Sequence, residues 1–399
     1  MAQAAPDNMV VDWNQTMITT LETANYPPPA ANRLGGIIQA AIFDAVNGIE
    51  RRYTPIHVAP AAPSDASPRA AVASAGHEAL VTSFPAQKAS LDAAFAASLQ
   101  TIGDDENDRA IADGVAWGST VADQILAWRA GDKFSSTPPP YVFSSAPGQY
   151  QPTPGGVGPP KFRTLAITTP FALNSPSEFR PTGPPALTSA RYAQDFNEVK
   201  ALGGLTSTVR TAYQTETAKF WQFDLGLAQW DRVADTLIVE HHKNLLQSAR
   251  ILALTDIAVT DTIIALFDAK NFYNSWRPVT AIVNADVDGN PDTTADPTWL
   301  PLLVTPYFQE YPSAHVGTSS AAASVLASFF GEDANLTFTS VGLPGVTRTF
   351  TNFDAAVAQI SDARVFAGFH FRFSCDDASI MGAEVAEAVR TRLMQPVGD

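Results

Sequence analysis

At 399 residues, with 45% hydrophobic and only 16% charged side chains, the chain has the composition of a globular protein with a large core, not of a disordered polymer. A formal net charge of −15 argues against nucleic acid, whose phosphates bind clustered Lys and Arg, and no run of about 18 apolar residues marks a membrane span. The single cysteine, Cys375, excludes an intrachain disulfide framework and a cysteine-based metal site.

The start Met1-Ala2-Gln3-Ala4-Ala5-Pro6 lacks the basic and apolar parts of a signal peptide but has the small residues left around a cleavage site. A short tail over 1–10 and a periplasmic or secreted protein are therefore expected, with a plain cytoplasmic start as the alternative. Leu34, Ile37, Ile38, Ala41, Ile42 and Ala45 fall at helical spacing after Pro27-Pro28-Pro29, which predicts a helix with a buried face from Ala30 to Asn47. After a Pro/Ala/Ser linker from Pro60 to Pro68, Arg69 to Gln100 and Asp104 to Arg129 read as two long Ala-rich helices, the second closed by Gly131.

From Ser135 to Pro185 the repeated prolines and glycines can continue neither a helix nor a central strand. This is a long loop, and Tyr141, Phe143, Tyr150, Phe162, Phe171 and Phe179 mark it as packed down. Helical spacing resumes at Thr188 to Ala201, Thr206 to Trp221 and Val233 to Ala269. Asp286 to Pro297 is a polar turn, followed by helices over Ser313 to Phe330, Asp354 to Phe371 and Ser374 to Leu393. No strand alternation competes with these patterns. The expectation is an all-α helical bundle with one long Pro/Gly-rich loop, a single helical domain over 1–399, with the chemistry concentrated in 262–395.

Three stretches carry that chemistry. Lys270 and Arg277 are seven apart, on one face if the helix runs on to Trp276. Pro312-Ser313-Ala314-His315 reads as a helix start with Ser313 at the N-cap, where free N–H groups bind oxyanions. Arg364 and His370 are six apart on a third helix, a guanidinium fork beside an imidazole. Singly, each is a solvated basic face, a surface histidine or a satisfied core histidine. Two further stretches are weaker: Asp286-Val287-Asp288-Gly289-Asn290 lacks the glycine position and final Glu of a calcium loop, and His241-His242 lacks a zinc frame.

The order Lys, six residues, Arg-Pro, then Pro-Ser-Ala-His, then Arg, five residues, His resembles the acid phosphatase and vanadium-dependent haloperoxidase superfamily. The flanks Trp276-Arg277-Pro278-Val279, Phe308-Gln309-Glu310-Tyr311-Pro312 and Gly368-Phe369-His370-Phe371-Arg372 lean to its bacterial haloperoxidase branch, and the likeness runs from about Val11 onward. The resemblance implies vanadate, or phosphate in the same place, held by Lys270, Arg277, Ser313, the Ala314 N–H and Arg364. His370 would be the axial ligand of vanadium and His315 the acid–base group, with Phe267, Phe308 and Trp276 around the halide. It implies hydrogen peroxide, halide and an organic small molecule as reaction partners and a hypohalous-acid equivalent as product; a homo-oligomer is one possible assembly, which the sequence does not decide. A phosphatase working through a phosphohistidine, or an anion-binding relative without haloperoxidase activity, are the alternatives. The chain departs from the usual pattern at Ala314 (Gly), Ala363 (Ser), Ser374 (Asp) and Phe267 (Trp), so Asp376 or Asp377 is expected to orient the His370 ring.

Overall fold

The computed structural model describes residues 8–398. The cleavage-type start lies outside the described residues, and within the expected tail the chain is already helical from Met9. The chain folds into thirteen α-helices and one small hairpin among the described residues. The helices are α1 (Met9–Thr23), α2 (Pro28–Glu50), α3 (Pro68–Ser83), α4 (Lys88–Gly103), α5 (Asp108–Ala130), α6 (Ala190–Leu202), α7 (Ala212–Gln222), α8 (Gly226–Glu240), α9 (Leu245–Tyr273), α10 (Pro278–Val283), α11 (Ala314–Phe330), α12 (Phe353–Phe366) and α13 (Arg372–Arg392). The hairpin pairs β1 (Leu336–Thr339) with β2 (Thr347–Phe350), Leu336 opposite Phe350. The all-α expectation holds, and no helix among the described residues is long and apolar enough to cross a membrane.

Local chemistry cuts the predicted helices more finely. The run from Arg69 to Gln100 breaks at Phe84-Pro85, where proline cannot continue an i to i−4 ladder. The run from Val233 to Ala269 is two helices, because His242 takes a left-handed φ of 50° and Asn244 with Gln247 forms a new capping box. Thr211 and Gln214 likewise start α7 later than Thr206. The α1 helix and the hairpin had no assignment from periodicity.

Helix α9 is the axis of the bundle. Its 29 residues are buried on nearly every side, the pattern of a core helix without a polar face, and it packs against α2, α11 and α13. Each fully buried Leu or Ile there, such as Leu254, Ile257, Ile264 and Leu266, contributes about 1.5–3 kcal/mol. Where α11 crosses α13, a Cβ on Gly382 would lie 2.1 Å from the Gly317 carbonyl oxygen, so glycine allows the two backbones to touch. That close crossing sets Ser313 beside Ser374, whose carbonyl accepts from the Ser313 N–H at 3.0 Å.

The long Pro/Gly-rich loop is tied to the end of α9. Asn274 accepts from the Tyr150 N–H at 2.6 Å through its carbonyl and from the Tyr141 hydroxyl at 2.8 Å through its side chain. Asp261 accepts from the N–H groups of Phe171, Ala172 and Leu173. Four of the loop's backbone N–H groups are thereby satisfied by the helix that carries Lys270 and its cap.

Candidate functional site

The site lies where α9 ends, α11 begins and the α12–α13 turn returns to them. Helix α9 stops at Asn274 in a left-handed conformation, and Arg277 is the residue before α10, so Lys270 and Arg277 do not share one helix. Helix α12 stops at Phe366, and Gly368, at φ 79°, turns the chain so that His370 comes from the turn and not from the same helix as Arg364. A Cβ at Gly368 would lie 2.6 Å from the Gly203 carbonyl oxygen, which leaves no room for any other residue.

His370 is buried, with Nδ1 2.8 Å from Glu310 Oε1 and Nε2 3.1 Å from Arg277 Nη1. A guanidinium only donates, so Nε2 is the acceptor nitrogen and Nδ1 carries the proton of the neutral ring. Burial first, and then the charges of Arg277, Lys270 and Arg364, push the His370 pKa well down. His315, the second residue of α11, has the opposite arrangement. Arg364 Nη1 donates toward its Nδ1 at 3.3 Å, which leaves the proton on Nε2, an atom without a partner among the described residues. Its pKa is pushed down to about 3 by burial and by Arg364.

Lys270 is differently used. Its ammonium donates to the carbonyls of Gln309 at 3.0 Å, Glu310 at 2.8 Å and Pro312, so all three protons are engaged by the strap before α11. Burial pushes its pKa well down, yet three carbonyl acceptors require three N–H groups, which only the ammonium has. Arg277 also holds the strap, donating from Nε to the Phe308 carbonyl at 2.8 Å. Phe308 lies under both cations, 5.4 Å from Lys270 Nζ and 5.0 Å from the Arg277 guanidinium carbon.

Ser313 is the residue before α11, but its side chain makes no capping bond and its Oγ is buried without a partner among the described residues. Ala314 begins the helix with an ordinary negative φ, so the position does not need glycine, and its side chain lines the cavity. That cavity, about 330 Å³, is lined by Ala314, His315, Arg364 and His370 together with Phe162, Ile263, Val304, Tyr307 and Phe308. Phe267 lies behind this wall, 5.2 Å from Phe308 between ring centres. Trp276 is turned away, into a second aromatic cluster with Tyr192, Tyr311 and Phe371, and borders a separate cavity of about 190 Å³.

The expected orienting residues on α13 are elsewhere: Asp376 pairs with Arg191 at 2.6 Å, and Asp377 accepts from the Tyr311 hydroxyl at 2.6 Å. Glu310 stands at His370 instead, and also accepts from the Phe371 N–H at 3.1 Å. Burial pushes its pKa up to about 7 against the pull of Arg277 and Lys270. The Ser374 hydroxyl faces this carboxylate without closing to hydrogen-bond distance. Gln222, which accepts from Arg364 Nη2 at 2.7 Å, is a second site residue that periodicity did not mark. The only signal for Glu310 was its place two residues before Pro312; for Gln222 there was none.

Four buried atoms that can donate, Arg277 Nη2, Arg364 Nε, Ser313 Oγ and His315 Nε2, thus lack partners among the described residues, as do Glu310 Oε2 and Ser374 Oγ on the Nδ1 side of His370. Three cations stand against one carboxylate. Such a donor-rich, cation-rich cage fits a tetrahedral oxyanion. No group of three or more His, Cys, Asp or Glu among the described residues could hold a free metal cation.

Residues 250–399 match the family described as VCPO second helical-bundle domain. The vanadium chloroperoxidase of Curvularia inaequalis is 28% identical over a 180-residue alignment that covers 37% of this chain and 29% of that protein. The matched stretch is therefore less than a third of that relative's length. Among solved structures, the first bacterial vanadium-dependent iodoperoxidase superposes with a TM-score of 0.83 at 23% identity, covering 98% of this chain and 97% of that one. A holo-type bacterial vanadium-dependent chloroperoxidase superposes with a TM-score of 0.72 at 17% identity, covering 97% and 96%. These two share the fold of this chain.

Proposed function

We propose, from the match of residues 250–399 to the VCPO second helical-bundle domain and the likeness to vanadium haloperoxidases, that the chain is a vanadate-dependent haloperoxidase of that family, oxidising halide with hydrogen peroxide. The observation that carries the proposal is the set of four unpartnered donors around a histidine whose Nε2 presents a lone pair.

His370 Nε2 would bind vanadium, and Arg277, Arg364, Ser313 and the first-turn N–H groups of α11 would hold the oxygens. Bound vanadate supplies a Lewis-acidic centre that activates hydrogen peroxide for oxygen transfer to halide. Lys270 acts at one remove, holding the strap that carries Phe308 and Glu310. His315 presents an N–H to the cavity. Its depressed pKa comes from burial and from Arg364, so an anion beside it raises that pKa and allows the ring to take up and return a proton. The apolar side chains of Phe162, Ile263 and Phe308 line the same cavity as His315, Arg364 and His370, which has room for halide or a small organic molecule.

The test uses purified protein with and without orthovanadate, assayed for peroxide-dependent halogenation of an electron-rich probe and for hydrolysis of an aryl phosphate. Vanadate-dependent halogenation is expected. Aryl phosphate hydrolysis inhibited by vanadate, with no halogenation, would replace this reading with the phosphatase one, in which His370 Nε2 attacks phosphorus.

A further inference from the structure

An imidazole that binds an electrophilic centre through one nitrogen needs its proton on the other, and needs its ring held in plane with the acceptor of that proton. We infer that Glu310 is the positioning residue that holds His370 as the Nδ1–H tautomer and turns its Nε2 lone pair into the oxyanion cage. This deepens the reading of His370 as the ligand and rests on it. Nδ1 lies 2.8 Å from Glu310 Oε1, and the donor-only Arg277 Nη1 approaches Nε2 at 3.1 Å, so both ends of the ring specify the same tautomer.

The carboxylate reaches His370 from the strap before α11 and not from α13. The two α13 carboxylates nearest His370 in sequence are engaged elsewhere, Asp376 with Arg191 and Asp377 with Tyr311. The strap is rigid enough for the task. Lys270 holds the carbonyls of Gln309, Glu310 and Pro312, Arg277 holds that of Phe308, and the Glu310 N–H donates to the Ser275 carbonyl at 3.1 Å. The two cations of the motif therefore also place the carboxylate that orients the histidine. Glu310 Oε2 has no partner among the described residues, and Ser374 on α13 is the hydroxyl that faces the carboxylate. A carboxylate grown from position 374 would enter the same space.

The test is ¹⁵N NMR of histidine-labelled full-length protein, with the His370 signals assigned by difference from His370→Gln, together with calorimetric titration by orthovanadate. Parent protein, Glu310→Gln, Glu310→Ala and Glu310→Ala/Ser374→Asp are compared, with thermal unfolding to verify that each folds. The parent is expected to show protonated Nδ1 and unprotonated Nε2. Glu310→Gln, whose amide oxygen still accepts from Nδ1, keeps that pattern. Glu310→Ala mixes the tautomers and weakens vanadate binding about 10–100-fold, the usual loss for an outer partner of a ligating histidine. The double variant recovers part of both. A folded Glu310→Ala protein that keeps the parent tautomer overturns the inference, even where its affinity falls, because Arg277 would then hold the tautomer without Glu310 and a packing defect would account for the lost affinity. The tautomer readout needs no vanadate. A protein that binds none but whose tautomer depends on Glu310 overturns the haloperoxidase reading and supports the positioning role.

Discussion

Arg364 Nη1 donates toward His315 Nδ1 at 3.3 Å, and this contact decides that the free end of the imidazole carries a proton. The two site histidines thus stand in opposite tautomers, His315 offering a donor and His370 a lone pair. Replacing them should have different consequences. His370→Ala removes the nitrogen ligand, so vanadate affinity and peroxidase activity should both collapse. His315→Ala should bind vanadate more nearly like the parent while losing rate about 10²–10⁴-fold, the range of a general acid–base contribution. Vanadate titration followed by halide-oxidation rates separates the two, and equal loss of binding would contradict the assignment.

An oxyanion that binds only the folded cage must stabilise the fold. Orthovanadate or phosphate at about 100 times its dissociation constant should add about 2.7 kcal/mol to the unfolding free energy. Thermal unfolding with increasing anion measures this. A flat melting temperature at millimolar vanadate would count against the cage as an anion site.

Lys270→Met should cost stability as well as binding. The substitution keeps the length of the side chain but leaves the carbonyls of Gln309, Glu310 and Pro312 without their buried donor. Each orphaned group costs about 1–3 kcal/mol, so a loss on the order of 3 kcal/mol or more is expected by urea unfolding without anion. A variant as stable as the parent would return Lys270 to a role in anion binding alone.

Away from the site, α8 and α9 bury Asp231 and Asp256 against one another. Burial pushes the Asp256 carboxyl up to about 7, and burial with the neighbouring Asp256 raises Asp231 well above the ordinary range. A carboxyl whose pKa is higher in the folded protein contributes stability that is whole below its unfolded value. That contribution is lost as pH rises through the folded one. Between about pH 4 and 7 this pair therefore lowers stability as pH rises. Asp256→Asn, which removes the ionisation, should raise the melting temperature at pH 8 and change it less at pH 4. Thermal unfolding of both proteins across that range would show curves that diverge with pH, and parallel curves would refute it.

The motifs at Lys270, Arg277, Ser313, Arg364 and His370 were legible in order and spacing, because each is a short local signature that survives without knowledge of the fold. So were most of the helices, since a buried face at 3.6-residue spacing is a local property of the chain. Only the tertiary structure decided what those residues do. Whether Lys270 meets an anion or three carbonyls depends on a strap 39 to 42 residues further along. Whether the orienting carboxylate is Asp376, Asp377 or Glu310 depends on which of them the α11–α13 crossing brings to His370. Partners of this kind are chosen by packing between distant segments, and a buried charge takes the nearest group that satisfies it. Periodicity carries no record of that choice.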